Sequence, residues 1–116
     1  MPAESITPEI VKIEEHLVRR VRELGGEIRK VKWIGRRGAP DRVVMLPERG
    51  VITDDTEEGA GRCIGFRHRA ATLWVELKAP GEKPNPHQQR EHERMRRMGQ
   101  RVVVIDSIEE IGRAHV

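Results

Sequence analysis

A glutamate and a lysine stand two residues apart in the segment "WVELKAPG", residues 74–81. The alternation of a β-strand puts Glu76 and Lys78 on the same face, opposite the face of Val75 and Leu77. Charged side chains inside a sheet cost free energy unless they are paired or bind a ligand. An earlier acid, Asp41, directly precedes another apolar segment, "RVVMLP". These three residues are therefore the first candidates for chemistry.

If the two segments are neighbouring strands, the carboxylates of Asp41 and Glu76 and the ammonium of Lys78 meet at one end of the sheet. Carboxylate oxygens are the ligands that Mg²⁺ and Mn²⁺ prefer. Such a metal activates a water and stabilises the charge on a scissile phosphate, and an ammonium can orient that water. The alternative is a simple ion pair between Glu76 and Lys78 on a half-exposed strand.

The elements that position these residues can be read from capping and periodicity. Thr7 and Pro8 begin a first helix that Gly25–Gly26 ends. Its apolar residues recur at three- and four-residue steps, which predicts one buried face: Ile10, Ile13, Leu17, Val21 and Leu24. A second helix begins at the Asn85 cap with Pro86 and runs to Met98, and a third, short helix follows Ser107.

Four segments predict strands: "EIRKVKWI", "RVVMLP", "ATLWVELKA" and "RVVVIDS". The last is continuously apolar, which is typical of a strand buried on both faces. The order of elements predicts an α/β fold with a mixed central sheet flanked by helices. The length of 116 residues indicates a single domain, 1–116. Residues 48–71 are too long for an ordinary loop and predict an insertion, either a hairpin or a flexible excursion.

Composition limits the remaining possibilities. The single cysteine, Cys63, excludes an internal disulfide and is typical of a reducing compartment. No apolar run approaches the roughly 20 residues that span a bilayer, and no signal peptide is visible at the N-terminus. We therefore expect a soluble, cytoplasmic protein without a membrane partner.

The segment from Arg29 to Arg42 carries six basic residues and one acid, Asp41. Such a block can bind a polyanion, and nucleic acid is the commonest one. Arg36 and Arg37, in the glycine turn before Asp41, are the best candidates for DNA contacts, followed by Lys32 and Arg42. A solvated charged surface is the alternative.

Other types of site are not indicated. Cys63, His68, His87 and His92 lack the spacing of zinc ligands, so we expect them to be loop or helix-surface residues. No phosphate-binding or dinucleotide-binding glycine motif is present, so no organic cofactor is expected.

Three segments in this order, "GAPDRVV", "WVELKAPG" and "NPHQQ", resemble the PD-(D/E)xK nucleases, and most closely the virus-type replication-repair nuclease (VRR-NUC) family. Pro40–Asp41 matches the family's "PD", and Glu76–Leu77–Lys78 matches its "ExK". Gln88 falls where the family has a glutamine in the following helix. Glu14 or Glu15 matches an additional family carboxylate. Residues 48–71 are a departure, because small stand-alone members look shorter there.

The resemblance implies a restriction-endonuclease-like core and a Mg²⁺- or Mn²⁺-dependent DNA endonuclease. It implies that the metal is held by Asp41, Glu76, the backbone carbonyl of Leu77 and the first-helix carboxylate, Glu14 or Glu15, of which the helical wheel favours Glu14. It also implies a homodimer that cuts branched DNA such as four-way (Holliday) junctions in DNA repair, in a bacterial or phage-infected cell. The alternatives are a non-catalytic basic DNA-binding module and a sequence-specific restriction-type endonuclease.

Two of these residues carry local alternatives. Gln88 lies three residues after Asn85, where its side chain can complete a capping box instead of serving the active site. On a helical wheel Glu14 falls at the edge of the apolar face and Glu15 falls toward solvent, which favours Glu14 as the site residue. Alternatively, Glu14 pairs with Arg42 or Lys32.

Overall fold

The computed structural model describes residues 7–48, 53–54, 62–63, 69–114 and 116. Along these residues the elements follow in the order α1 (Pro8–Glu23), β1 (Glu27–Lys30), β2 (Arg42–Leu46), β3 (Thr53–Asp54), β4 (Arg62–Cys63), β5 (Ala71–Leu77), α2 (Pro86–Arg97), β6 (Arg101–Ile105) and α3 (Ile108–Arg113). Apart from the short pair β3 and β4, this is the predicted order.

A four-stranded sheet in the order β1-β2-β5-β6 forms the centre of the fold. β1 pairs antiparallel with β2, and β2 pairs antiparallel with β5. β5 and β6 are parallel, because α2 carries the chain back to the starting end of the sheet. The predicted α/β fold with a mixed sheet is confirmed.

The helices begin where local sequence predicts. The Thr7 hydroxyl accepts a hydrogen bond from the backbone N–H of Ile10, with Pro8 at the first helical position. The α1 helix ends before Gly25, whose φ of 80° is accessible to glycine at little cost. Asn85 caps α2 in the same way, ahead of Pro86.

The two longer helices cover opposite faces of the sheet. On α1, the side chains of Ile13, Leu17 and Val21 are buried in one core cluster with Val75 of β5. The next residue along β5, Glu76, points to the other face, where it meets His92 of α2. One sheet face therefore packs the main apolar core, and the other face carries the charged residues of β5.

Two strand predictions need correction. β1 ends at Lys30 rather than continuing to Ile34, because β2 begins at Arg42 and offers no strand partner beyond that point. One further bond, from Val31 N–H to the carbonyl of Asp41 (2.8 Å), closes the pairing. β6 is not buried on both faces, since within the described sheet it is an edge strand and Val103 and Val104 are only partly buried.

The described part of the predicted insertion includes a short antiparallel pair, in which Thr53 lies opposite Cys63 and Asp54 opposite Arg62. This agrees with the hairpin alternative for these four residues. The rest of segment 49–68 lies outside the described residues, as does His68. Within the described ranges, no helix has the length and apolar character needed to cross a bilayer.

Candidate active site

The register of β2 and β5 brings the two candidate acids to the same end of the sheet. Arg42 is the first residue of β2 and lies opposite Val75, so continuing this antiparallel register by one residue beyond the strand would bring Asp41 opposite Glu76. Residues directly opposite each other share a sheet face, with Cβ atoms about 5 Å apart. Glu76 is buried and Asp41 keeps 47% of its side chain exposed, so this end of the sheet opens to solvent at Asp41.

Lys78 lies just beyond the end of β5 and is also buried. Its backbone N–H donates to the carbonyl of Ile105 at 2.9 Å, which extends the pairing with β6 by one residue. This bond fixes the backbone on both sides of Leu77, the residue whose carbonyl the family resemblance implicates. A buried lysine and a buried glutamate are therefore held two residues apart on a rigid segment.

Arg42 links the two other candidate acids. Its Nη2 lies 3.1 Å from Oε2 of Glu14, and its Nη1 lies 2.9 Å from Oδ2 of Asp41. Burial lowers the pKa of Arg42, but the hydrogen bond to Glu14 and the nearby carboxylate charges outweigh it, so that its pKa is raised above the ordinary value. The guanidinium stays charged and holds Glu14 beside Asp41.

Glu14 has the environment that the helical wheel predicts: its side chain is 26% exposed, whereas Glu15 is exposed. Its contacts match the ion-pair alternative, with Arg42 as the main partner and Lys30 Nζ at 3.9 Å. A role of Glu14 at a metal stays a prediction. Arg42, predicted to contact DNA, has a side chain only 12% exposed and lies between these carboxylates.

Gln88 is buried and completes the capping box. Its Oε1 accepts from the backbone N–H of Asn85, and the Asn85 side chain accepts from the backbone N–H of Gln88, both at 2.9 Å. The capping alternative is thus realised, and an additional contact with substrate stays a prediction. The capping fixes where the N-terminal end of α2 meets the sheet.

His92 is the residue that the sequence interpretation misplaced. It is 1% exposed, so its prediction as a helix-surface residue is wrong, whereas His87 is exposed as expected. His92 Nε2 lies 3.6 Å from Oε1 of Glu76, and it makes no hydrogen bond within the described structure. Its place on the same helical stripe as Gln88 and Met95 could have indicated this burial.

The loop that leads into Asp41 is fastened to α2. Arg36 Nε donates to Oε2 of buried Glu91 at 2.9 Å, and Arg94 reaches the other oxygen at 3.2 Å. The Arg36 hydrogen bond lowers the pKa of Glu91 against the opposing effect of burial, and Arg94 lowers it further. A Cβ on Gly38 would lie 2.5 Å from the carbonyl oxygen of His87, so only glycine permits this approach.

The predicted DNA-contacting residues therefore differ in their surroundings. Lys32 and Arg37 are exposed, and Arg36 is half exposed but fastened to Glu91. Their contacts with DNA stay predictions.

The donor chemistry fits a hard divalent cation, since the carboxylates of Asp41 and Glu76 and the backbone carbonyl of Leu77 are all oxygen ligands. Among the described residues, however, no three histidine, cysteine or acidic side chains converge closely enough to form a metal site by themselves. A cation here would have to retain water molecules, as Mg²⁺ commonly does.

This mixed sheet, with an acid before one strand and a Glu-x-Lys pair on its neighbour, defines a nuclease of the PD-(D/E)xK class. No family model matches the chain. A solved structure described as "VRR_NUC domain" shares 33% sequence identity, covers 92% of this chain and 94% of its own, and superposes with a TM-score of 0.67.

A protein named "Putative nuclease p44", from Acyrthosiphon pisum secondary endosymbiont phage 1, is 43% identical over 95 residues, which is 82% of this chain and 80% of the relative. The chain belongs to the VRR-NUC family of nucleases.

Proposed function

We propose that this nuclease is a Mg²⁺- or Mn²⁺-dependent DNA endonuclease whose catalytic residues are Asp41, Glu76 and Lys78, with Glu14 and Gln88 in support. The observation that supports the proposal is the antiparallel register of β2 with β5, which ends with Arg42 opposite Val75 and, continued by one residue, would bring Asp41 opposite Glu76 at an open end of the sheet. Glu76 and Lys78 are also both buried, and burying a carboxylate and an ammonium costs several kcal/mol of desolvation unless they are paired or bind a ligand.

The proposed division of roles follows from the side chains. Asp41, Glu76 and the carbonyl of Leu77 would hold the cation, which when bound supplies Lewis acidity toward the phosphate and its attacking water. Lys78 would orient that water and stabilise the negative charge that builds on the phosphate oxygens. His92, whose Nε2 lies 3.6 Å from Oε1 of Glu76, would help to position that carboxylate from the α2 side.

We further propose that the whole chain forms one nuclease domain with an insertion at about 48–71, and that it acts in the cytoplasm of a bacterial or phage-infected cell. The substrate is branched DNA, such as a four-way junction. Paired cuts in the two symmetric strands of a junction need two active sites, which a homodimer would supply. A monomeric mass by light scattering at micromolar concentration, together with activity on flaps but not on junctions, would contradict the junction substrate.

The central experiment compares cleavage of end-labelled linear duplex, flap and four-way-junction DNA in Mg²⁺, in Mn²⁺ and in EDTA. We expect internal cuts in the branched substrates that require the metal and that Glu76→Gln eliminates. Binding without cleavage under every metal condition would instead indicate a non-catalytic DNA-binding module. Cleavage of linear DNA at one sequence would indicate a restriction-type enzyme.

A further inference from the structure

An apolar side chain stands exposed on the basic loop that leads into the active site. Ile34 is 92% exposed, the highest value among the large apolar side chains that the structure describes as exposed. Its neighbour Trp33 is 36% exposed. Lys32 precedes the pair and Arg37 follows it, and both are exposed. Isolated apolar residues on a protein surface are common, but this one lies in a loop that is held on both sides.

The loop fixes Ile34 in its exposed position. Immediately before it, Trp33 Nε1 donates to the carbonyl of Pro40 at 2.7 Å. Two residues after it, Arg36 is bound to Glu91 on α2, and Gly38 packs against the α2 backbone. These contacts lie on both sides of Ile34 in the chain and hold the loop that exposes it.

The same anchors place the tip of this loop, Trp33 and Ile34, beside the candidate catalytic residues. Pro40, which accepts the Trp33 hydrogen bond, directly precedes Asp41. The Trp33 ring lies against the ring of Trp74, with centroids 5.4 Å apart and planes tilted by 47°. Trp74 stands two residues before Glu76 on β5, so the two share a sheet face. An apolar surface therefore adjoins the acids.

We propose that Trp33 and Ile34 form a contact site for an unpaired nucleobase next to the scissile phosphate. This inference rests on the proposed function, because it assumes DNA at Asp41 and Glu76. A nucleobase released from its stack offers a flat apolar face, which aromatic rings bind by stacking and which aliphatic wedges such as isoleucine support. Lys32 and Arg37 on the same loop complement the phosphates on either side of that base.

A contact site for an unpaired base would give a physical reason for selectivity toward branched DNA. In an intact duplex both faces of a base are covered by its neighbours, and binding at the tip would require unstacking, which costs free energy. At a junction, flap or single strand that cost is already met in part. The Trp33–Ile34 tip therefore favours DNA with unpaired bases, whereas Lys32 and Arg37 favour any DNA.

The test measures binding in EDTA, where the proposed metal-dependent cleavage does not occur, with oligo-dT and a blunt linear duplex as probes. Ile34→Ala should weaken oligo-dT binding by about fivefold or more, since it removes the apolar surface on which the unpaired base would rest. Its duplex affinity should change less than about twofold. Ile34→Phe should keep the oligo-dT affinity. The control is Met98→Ala, which removes an apolar side chain 69% exposed at the end of α2 and should change neither affinity.

Two further variants separate base contact from phosphate contact. Arg37→Gln should weaken the binding of both probes and reduce the salt dependence of the affinity by the equivalent of about one phosphate contact. Ile34→Ala should leave the salt dependence of the affinity unchanged. The chain has two tryptophans, so in a Trp74→Phe protein only Trp33 remains, and oligo-dT should quench its fluorescence. Unchanged fluorescence at saturating oligo-dT would overturn the proposal.

The proposal would also be overturned if Ile34→Ala changed the affinities for oligo-dT and duplex equally, or changed neither. A lower oligomeric mass for Ile34→Ala with unaltered DNA affinity would show that the tip contacts a second copy of the chain instead. These failures remain separable from a failure of the proposed function. If wild-type protein cuts branched DNA with Mg²⁺ while Ile34→Ala binds oligo-dT normally, only the base-contact site is wrong.

Discussion

Arg42 on β2 and Glu14 on α1 form a two-point ion pair, with Nη2 to Oε2 at 3.1 Å and Nε to Oε1 at 3.4 Å. The same guanidinium holds Asp41, so the helix acid reaches the candidate active site through an arginine. This relationship allows Glu14 to act either as a direct metal ligand or by positioning Arg42 and Asp41.

Glu14→Gln should reduce the cleavage rate at least about tenfold, which corresponds to about 1.4 kcal/mol of transition-state stabilisation. Glu15→Gln is the matched control, because Glu15 is exposed on the same helix, and should leave the rate nearly unchanged. The Mn²⁺ concentration at half-maximal rate separates the two roles. If Glu14 is a direct ligand, this Mn²⁺ concentration should be higher for Glu14→Gln than for Arg42→Gln. If Glu14 positions Arg42 and Asp41, the two variants should lose cleavage rate equally. Full activity of Glu14→Gln would exclude either role.

At the centre of the site, Asp41→Ala, Glu76→Ala and Lys78→Ala should each abolish cleavage while circular dichroism shows a folded protein. Calorimetric titration with Mn²⁺ should detect weaker binding after either carboxylate is lost, but not after the lysine is lost, because an ammonium is not a metal ligand. Exposed Glu93→Ala and Lys83→Ala serve as controls of matched type. Cleavage at the wild-type rate by Glu76→Ala would end the assignment of this site.

His92 is expected to act as a positioning residue for Glu76. His92→Leu fills similar space without a polar nitrogen and should lower kcat by about 10- to 100-fold, the usual effect of losing a group that orients a ligand carboxylate. His92→Gln keeps a polar group near Glu76 and should recover part of that loss. If both variants lose thermal stability equally but keep the kinetic constants of the wild-type protein, the role of His92 is packing alone.

The success of the sequence interpretation depended on how far apart the interacting residues lie. The helix starts at Thr7–Pro8 and Asn85–Pro86 follow from contacts within four residues, and both were predicted. The ion pairs of Glu14 with Arg42 and of Arg36 with Glu91 join residues 28 and 55 positions apart. Sequence could name Arg42 as one alternative partner of Glu14. Nothing local indicated that Glu91, in a run of charged helix residues, is buried.

Gly38 and Gly35 provide a matched pair for testing the loop. Both have positive φ, 82° and 72°, so alanine at either position costs about 1–2 kcal/mol of backbone strain. A Cβ at Gly35 meets nothing within 4 Å, but at Gly38 it meets the backbone of His87 and Gln88. Gly38→Ala should therefore lose a further 1–3 kcal/mol, roughly, in urea unfolding, together with most of the activity. Equal effects of the two substitutions would mean that the loop does not pack on α2.

The pair of Arg36 and Glu91 makes stability depend on pH in a defined direction. Since the pKa of Glu91 is lowered in the folded protein from its ordinary value of 4.5, the folded state favours the carboxylate. The resulting stabilisation is present above pH 4.5 and is lost as the pH falls through the lower pKa of the folded state. Glu91→Gln should therefore lower the midpoint of thermal unfolding at pH 7 and have a smaller effect at pH 3. Exposed Glu93→Gln should show little effect at either pH. A Glu91→Gln effect that is constant across this range would show that the hydrogen-bond geometry, rather than the charge of Glu91, holds the loop to α2.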